Sequence, residues 1–343
     1  MPTPDSISET LNALLRREEL GTAQMRFVLG QMMAGQCGEV EAAAFLTALR
    51  MKGETAGEIA SAAQVLREHM VRWDPGRPVL DTCGTGGDGA GTFNISTAAA
   101  FVVAGAGVPV VKHGNRSVSS KSGSADVLAA LGIAIEGDAA QARRSLDRAG
   151  LAFCFAPNFH PSMKHVAALR RRLGFPTIFN CLGPLANPAG AEFQLLGVGR
   201  PELLDLMAGA LARLGTRHAF VVHGGEGLDE VSLSTTTAVR EVRGETINHL
   251  EWTAQDFGLA ACSMKELTAA DAVESAAMIR SVLCGAQGPA RNVVLANAAA
   301  GLLAAERVTR LAEGVALAAE AIDSGQAMRV LESLQRQSPK VQT

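Results

Sequence analysis

Short apolar segments alternate with helical segments from Val79 onwards, and this alternation limits the possible folds more than any other feature of the sequence. Helices such as Ile95–Gly105 and Pro201–Leu214 separate most of the predicted strands, which are Val79-Leu80, Val108–Val111, Leu151–Phe155, Phe193–Val198 and Ala219–Val222. Parallel strands need crossover helices, so the pattern predicts an α/β fold with a mainly parallel sheet covered by helices on both faces. Residues 231–252 are typical of a hairpin, and residues 264–335 are again helical.

The first seventy residues have a different pattern, because residues 6–72 contain helical periodicity and no strand. Ser6 with Glu9, and Thr55 with Glu58, have the spacing of capping-box pairs at helix starts. Proline and glycine then break the chain within residues 73–76. We therefore predict a helical domain over residues 1–73, joined by the helical segment 160–190, and an α/β phosphate-binding domain over residues 74–343.

Composition excludes several classes of protein. The 31 basic and 34 acidic residues give a net charge of −3, and the only basic run is residues 170–172, so the sequence lacks the basic stripe of a nucleic-acid-binding protein. The six cysteines form no Cys-x-x-Cys pair, which predicts reduced thiols rather than a zinc site or disulfides. The acidic N-terminal segment has no signal-peptide core, and no apolar run reaches the ~20 residues that span a bilayer, so we expect a cytoplasmic protein.

A glycine-rich segment gives the strongest functional signal. Five glycines lie within residues 84–91, between a predicted strand and a helix that Asn94 would cap. Glycines let backbone N–H groups approach an anion, and a helix N-terminus adds partial positive charge. The segment matches neither the Walker A pattern nor the dinucleotide fingerprint. It predicts a phosphate site, with a purely conformational glycine turn as the alternative.

Two further polar segments follow predicted strands. Residues 112–124 contain three cations, Lys112, Arg116 and Lys121, together with five serine hydroxyls, a composition that suits pyrophosphate oxygens but also occurs in solvated loops. Asp229 and Glu230 come shortly after the strand Ala219–Val222. Hard oxygen ligands beside a phosphate site indicate Mg²⁺, although an isolated Asp-Glu pair is usually solvated surface. All three segments should meet at the carboxyl edge of the sheet.

Five segments in order resemble the anthranilate phosphoribosyltransferases of tryptophan biosynthesis: GTGGDGAGTFNIST, KHGNRSVSSKSGSADVLAALG, FAPNFHPSMKHVAALRRRLG, TIFNCLGPLANPA and VVHGGEGLDEVSL. The resemblance covers nearly the whole chain and extends to GPARNVVLANAAAGL. It implies an enzyme of the nucleoside phosphorylase and phosphoribosyltransferase fold that uses Mg²⁺. It also implies a homodimer that pairs through the helical domain and binds no nucleic acid or membrane.

The resemblance also implies the residues of the site. Phosphoribosyl pyrophosphate would contact Gly84, Gly87, Asp88, Thr92, Asn94, Ser96, Thr97, Lys112 and Ser124, and Ile95 and Gly114 would also be substrate-binding residues. Anthranilate would contact Gly84, His113, Asn115, His160 and Arg170, and Mg²⁺ would lie on Ser96, Asp229 and Glu230. The catalytic groups would be Lys112, Arg170, Asp229 and Glu230, and neither His113 nor His160 is assigned as a catalytic base.

Two positions depart from the commonest family pattern, Cys83 and Pro176, and we expect them to affect local packing without touching a ligand. Two other functions remain open at this point. A pyrimidine nucleoside phosphorylase would share the fold, but that family's own glycine-rich and lysine-serine signatures are missing. A non-enzymatic nucleic-acid-binding relative would need a basic surface, which the composition does not favour.

Overall fold

A computed structural model describes residues 6–117 and 122–338 of the chain. Its first part is four helices: α1 (Ile7–Leu15), α2 (Thr22–Met33), α3 (Glu39–Lys52) and α4 (Ala56–Glu68). Both predicted N-caps form, because the hydroxyls of Ser6 and Thr55 accept the N–H groups of Glu9 and Glu58, and Glu58 completes the capping box of α4. The region is helical, as the sequence predicts.

Seven strands form one sheet: β1 (Leu80–Gly84), β2 (Val110–Gly114), β3 (Leu151–Phe155), β4 (Phe193–Gly197), β5 (His218–Gly224), β6 (Thr237–Arg243) and β7 (Thr246–Trp252). Their order across the sheet is β3-β2-β1-β4-β5-β6-β7. The first five are parallel, and the hairpin of β6 and β7 adds two antiparallel strands at one edge. The mainly parallel sheet and the hairpin are thus confirmed.

The remaining helices cover the sheet, and the predicted helical region near the C-terminus contains four of them. They are α5 (Ile95–Gly105), α6 (Ser124–Ala130), α7 (Ala139–Ala149), α8 (Ala156–Phe159), α9 (Lys164–Leu173), α10 (Phe179–Leu182), α11 (Leu203–Arg213), α12 (Ala272–Leu283), α13 (Pro289–Ala304), α14 (Leu311–Asp323) and α15 (Gln326–Gln337). Within residues 6–117 and 122–338, no helix is long and apolar enough to cross a membrane.

Alternate residues of the central strands point into two different cores. Leu195 and Phe220 pack with α5 and α12–α15, whereas Leu196 and Val221 pack with α1–α4 and α9–α11. Burial on both faces explains why these strands are apolar throughout rather than alternating. The N-terminal helices therefore pack together with α9 and α10 on one side of the sheet. The division into domains at residue 73 remains a prediction.

Two strands continue further than the sequence predicts. β1 was expected to end at Leu80 and β2 at Val111, but both run on to glycines, so that Asp81 and Lys112 lie inside strands. Their side chains are only 0% and 3% exposed. A charged residue has the same hydropathy whether it lies buried in a central strand or exposed in a loop. The apolar pattern of the sequence therefore predicts strand ends that are too early.

Candidate active site

The carboxyl ends of the five parallel strands form one rim, with Gly84 paired to Gly197 and Gly114 paired to Phe155. Successive strands are added outward from β1 to β3, and then on the other side of β1 from β4 onwards. The reversal between β1 and β4 is the topological switch point at which open α/β sheets bind ligands. A cleft of about 1100 Å³ opens there.

The cleft brings together segments that are far apart in sequence. Its lining includes all but one of the predicted site residues: Gly84, Gly87, Asp88, Thr92, Asn94, Ile95, Ser96, Lys112, His113, Gly114, Asn115, Ser124, His160, Arg170, Asp229 and Glu230. The exception is Thr97, whose side chain is 1% exposed and borders a separate internal cavity of about 30 Å³. Thr97 contributes instead through its N–H group, which donates to the capping Asn94.

The glycine-rich loop depends on backbone geometry that other residues rarely adopt. Gly86, Gly87, Gly89 and Gly91 all have positive φ angles, between 66° and 74°. Gly84 is required for a different reason, because a Cβ atom there would lie 2.4 Å from Asp229 Oδ2. The loop can therefore turn sharply and still lie against the carboxylate, as the phosphate-site hypothesis requires.

The N-terminus of α5 is fixed at several points at the base of this loop. Asn94 caps the helix by accepting the Thr97 N–H group at 3.1 Å, and its own N–H group donates to Ser275 Oγ at 2.9 Å. The Ser96 N–H group donates to Glu230 Oε1 at 3.0 Å. These bonds direct the helix N-terminus, with its partial positive charge, towards the cleft.

Lys112 is the buried cation of the site. Its ammonium group donates to the Thr82 carbonyl oxygen and, at 3.0 Å, to Ser96 Oγ, which leaves one of its three N–H groups for the cleft. Burial lowers the pKa of Lys112, while the nearby carboxylates, Asp81 first, oppose that shift. The other two cations of this segment are placed differently: Arg116 is exposed and pairs with Asp126 at 3.3 Å, and Lys121 lies outside the described residues.

Asp229 and Glu230 form a partly buried acidic pair beside the loop. Asp229 accepts the Gly86 N–H group at 2.9 Å, and burial with the neighbouring Asp88 raises its pKa to about 7. Burial and the charge of Asp229 raise the pKa of Glu230 to about 8. Two carboxyls that are costly to ionise without a counter-charge suit a divalent cation. The described residues contain no group of three or more His, Cys, Asp or Glu side chains that could hold a metal ion, so a cation here would share its shell with hydroxyl, water or substrate oxygens.

The two histidines and Arg170 also line the cleft. The rings of His113 and His160 lie 4.9 Å apart. His113 Nδ1 donates to the Gly183 carbonyl oxygen at 3.0 Å, so its buried Nε2 is an unprotonated acceptor without a partner. Burial lowers the pKa of His113 to about 3 and of His160 to about 4, and both rings are therefore neutral at physiological pH.

Arg170 is positioned to bind an anion. Its guanidinium carbon lies 5.4 Å from the centre of the Phe179 ring, and burial lowers its pKa. Among the ion pairs of the described residues, none includes Arg170, whereas the neighbouring Arg172 pairs with Glu39. A partly buried guanidinium without a carboxylate partner faces the cleft, and its planar N–H groups match the geometry of a carboxylate.

A buried polar pair behind the rim was missed from the sequence. Asp81 accepts the His113 N–H group at 3.3 Å and the Asn187 side-chain amide at 2.8 Å. Burial raises the pKa of Asp81 to about 6, with Lys112 opposing the shift. The sequence gives one indication of this pair, an acidic residue directly after the apolar Val79-Leu80. Because β1 was predicted to end at Leu80, Asp81 was not recognised as a buried residue. The pair ties β1 and β2 to the segment that contains Asn187.

The expectation for Cys83 and Pro176 was incomplete, because both residues line the cleft. Cys83 is the last side chain before Gly84, and its sulfur receives a hydrogen bond from Gln194 Nε2 at 3.1 Å. Pro176 is exposed on the segment between α9 and α10. Both therefore help to shape the wall of the cleft.

Comparison with known families covers nearly the whole chain in two parts. Residues 8–70 match the family described as "Glycosyl transferase family, helical bundle domain". Residues 76–328 match the family described as "Glycosyl transferase family, a/b domain". These ranges correspond to the four N-terminal helices and to the sheet with its covering helices.

Curated relatives and solved structures agree on one family. The chain is 51% identical to the anthranilate phosphoribosyltransferase of Symbiobacterium thermophilum, with 94% of this chain and 96% of the relative covered. A crystal structure of the Thermus thermophilus enzyme has a TM-score of 0.89 at 42% identity, with 95% of this chain and 98% of that chain covered. The Saccharomyces cerevisiae enzyme in complex with PRPP and Mg has a TM-score of 0.88 at 30% identity, with 96% and 97% covered.

Proposed function

This chain belongs to the anthranilate phosphoribosyltransferases, which join the amine of anthranilate to the ribose of phosphoribosyl pyrophosphate, and we propose that the rim cleft binds both substrates. The observation that most supports this site is the meeting, in one cleft, of the glycine loop, Lys112, the Asp229–Glu230 pair and Arg170. Pyrimidine nucleoside phosphorolysis and nucleic-acid binding are not favoured by the relatives.

The reaction needs little acid–base chemistry from the protein. The amine of anthranilate is uncharged at neutral pH, so it is already a nucleophile. The barrier lies in the departure of pyrophosphate from ribose C1 and in the positive charge that develops there. The neutral state of His113 and His160 suits this scheme, because an imidazolium beside C1 would repel the developing charge. Positioning and electrostatic stabilisation are therefore the main contributions of the protein.

The pyrophosphate group would lie on the β1 side of the cleft. The glycine loop and the partial positive charge of the α5 N-terminus would face the bound anion, and Lys112 has one N–H group left to donate. The N–H groups of Ser96 and Thr97 are themselves bonded to Glu230 and Asn94. A helix dipole alone contributes only ~0.3–1 kcal/mol at an exposed site, so several such donors must act together. The bonds that Lys112 makes to Thr82 and Ser96 fix these donors before the substrate arrives.

The carboxyl pair provides a site for Mg²⁺. Ser96, Asp229 and Glu230 would hold the ion, and their donor set of one hydroxyl and two carboxylates is typical of sites that bind Mg²⁺ together with substrate phosphates. When bound, the ion would neutralise charge on the departing pyrophosphate. The yeast relative in complex with PRPP and Mg supports the use of Mg²⁺ together with this substrate.

Anthranilate would bind between the histidine pair and Arg170. The guanidinium can hold the anthranilate carboxylate by two parallel N–H···O bonds, with Phe179 fixing its plane. Asn115, which is exposed on the second rim loop, would contact the same substrate. The yeast relative in complex with 4-fluoroanthranilate, at 29% identity and a TM-score of 0.85, supports an aromatic acceptor in this family.

The N-terminal helices have a surface suited to a homodimer. Val40 and Met51, 79% and 77% exposed, lie on one face of α3, and Leu15 at the end of the adjacent α1 is 75% exposed. Large exposed apolar residues on neighbouring helices mark contact surfaces. We propose that two copies pair there, with residues 1–73, joined by the helical segment 160–190, as one domain and the rest of residues 74–343 as the other. All six cysteines are free, which fits a reducing compartment such as the cytoplasm.

A fluorescence assay tests the proposed function directly. Anthranilate fluorescence should fall when the protein is mixed with phosphoribosyl pyrophosphate and Mg²⁺, and should remain constant when either is omitted. Asp229→Asn, which keeps the shape of the side chain but removes its charge, should slow the fall at limiting Mg²⁺. Consumption of anthranilate at the full rate in the presence of a chelator would contradict the role given to the metal.

A further inference from the structure

The segment GPARNVVLANAAAGL near the C-terminus lines no part of the cleft, yet one of its residues is bonded to the rim. Asn297 lies in the middle of α13 and is 0% exposed. Its side-chain oxygen accepts the Val231 N–H group at 2.9 Å, and its side-chain nitrogen donates to the Val231 carbonyl oxygen at 3.0 Å. The second N–H of the amide donates to the Val293 carbonyl oxygen at 2.9 Å. Every donor of this buried amide is thus satisfied.

We propose that Asn297 is a positioning residue for the Asp229–Glu230 pair, holding Glu230 at the angle that binding of Mg²⁺ and pyrophosphate requires. The inference rests on the proposed function of that pair. Asn297 touches no ligand and would act only through the backbone of Val231, the residue that follows Glu230.

The geometry of the two bonds supports this role. The Val231 N–H group belongs to the peptide that joins Val231 to Glu230, and the Val231 carbonyl belongs to the next peptide. By bonding to both, the amide fixes the two peptide planes on either side of Val231, as a neighbouring β-strand would. The direction of the Glu230 side chain depends on the first of these planes.

Other contacts hold the same segment from two further sides. The Asp229 carbonyl oxygen packs so closely over Gly197 that a Cβ atom there would come within 1.5 Å of it. Glu230 Oε1 accepts the Ser96 N–H group at 3.0 Å. Asn297 provides the third anchor, from a helix 66 residues further along the chain. A segment held by β4, α5 and α13 keeps the two carboxyl groups in place before a cation binds.

The composition of α13 indicates that the amide serves a specific purpose. Asparagine is a poor helix former, and a buried amide is costly unless it is hydrogen-bonded. Its neighbours in the helix are almost all alanine, valine, leucine and glycine, and they are buried against the sheet and α5. An apolar residue at position 297 would suit the core but would leave the Val231 N–H and carbonyl groups unsatisfied.

Direct metal binding tests the inference without turnover. Mn²⁺ binding to the full chain with phosphoribosyl pyrophosphate, and without anthranilate, is measured by electron paramagnetic resonance for the wild type, Asn297→Ala and Asn297→Leu. Loss of one to two neutral hydrogen bonds predicts Mn²⁺ binding weakened at least about fivefold in both variants. The half-saturating Mg²⁺ concentration in the activity assay should rise by a similar factor, with the KM for anthranilate unchanged. The leucine variant fills the space of the amide, so a folded protein remains testable if the alanine variant unfolds.

The control separates positioning from general destabilisation. Leu302→Ala removes a fully buried side chain from the same helix without a hydrogen bond to the rim, so it should lower the melting temperature while Mn²⁺ binding stays at the wild-type level. Wild-type Mn²⁺ affinity in both Asn297 variants, or equal weakening in Leu302→Ala, would overturn the inference alone. Failure of the wild type to bind Mn²⁺ would overturn the proposed metal site as well.

Discussion

Replacement of Arg170 by alanine is the sharpest test of the acceptor side of the cleft. The structure gives this guanidinium an aromatic support in Phe179 and no carboxylate partner among the described ion pairs. Its removal should therefore break no internal ion pair and should cost little stability. The loss should fall on the use of anthranilate, because the carboxylate of that substrate would no longer have its bidentate partner.

The size of the effect follows from the interaction that is lost. A hydrogen bond to a charged group contributes ~1.5–3 kcal/mol, which corresponds to a 10- to 150-fold fall in kcat/KM for anthranilate. Arg170→Lys keeps the charge but loses the planar pair of donors, so it should recover only part of this loss. The KM for phosphoribosyl pyrophosphate should change little, since the donors proposed for pyrophosphate are the glycine loop and Lys112 rather than Arg170.

The assay is steady-state loss of anthranilate fluorescence at saturating phosphoribosyl pyrophosphate and Mg²⁺. Arg171→Ala is the matched control, because it removes the same charge from the next position of α9, and Arg171 does not line the cleft. We expect the control to keep wild-type kinetics. A wild-type kcat/KM for anthranilate in Arg170→Ala, or an equal loss in Arg171→Ala, would refute the assignment.

Three further predictions concern the metal side and the histidines. Gly84→Ala should lower kcat at least about tenfold, because the added Cβ atom would displace the Asp229 carboxylate, while the circular dichroism spectrum stays unchanged. An unaltered dependence of activity on Mg²⁺ concentration in this variant would contradict the prediction. Because burial keeps His113 and His160 neutral, a profile of kcat/KM against pH at saturating Mg²⁺ should show no step near the ordinary histidine pKa of about 6.5. A step at that pH which disappears in His160→Asn would contradict the neutral state given to this ring. The raised pKa values of Asp229, about 7, and Glu230, about 8, mean that the folded chain without metal binds protons more tightly than the unfolded chain. This contribution to stability is therefore lost as pH rises from about 4 through about 8. Because Mg²⁺ competes with protons for these carboxylates, it should raise the melting temperature more at about pH 8 than at about pH 6. Equal shifts of the melting temperature at the two pH values would count against the metal site.

The sequence predicted those features of the fold that depend on local periodicity and on glycine. Alternating strands and helices, the hairpin, the caps at Thr55 and Asn94, and the glycine-rich turn are local properties of the chain. Strand ends were less accessible, because Asp81 and Lys112 are charged residues inside central strands and resemble loop residues by hydropathy. Their burial depends on partners such as Asn187, which lies 106 residues from Asp81.

The candidate site was predicted from the rule that parallel strands share a carboxyl edge, and the described structure brings its segments into one cleft. The direction of individual side chains could not be predicted in the same way. Thr97 was predicted as a ligand directly after Asn94, Ile95 and Ser96, but one further step around α5 turns its side chain towards the interior. The hydrogen bonds between Asn297 and Val231 are a tertiary contact, which no local sequence pattern predicts.

A crystal structure with phosphoribosyl pyrophosphate and Mn²⁺ tests the central claim most directly. We expect an anomalous difference peak for the ion at the carboxylates of Asp229 and Glu230, with the pyrophosphate on the loop at residues 84–97 and beside Lys112. An ion and a pyrophosphate bound elsewhere, with the cleft between β1 and β5 filled only by water, would contradict the account.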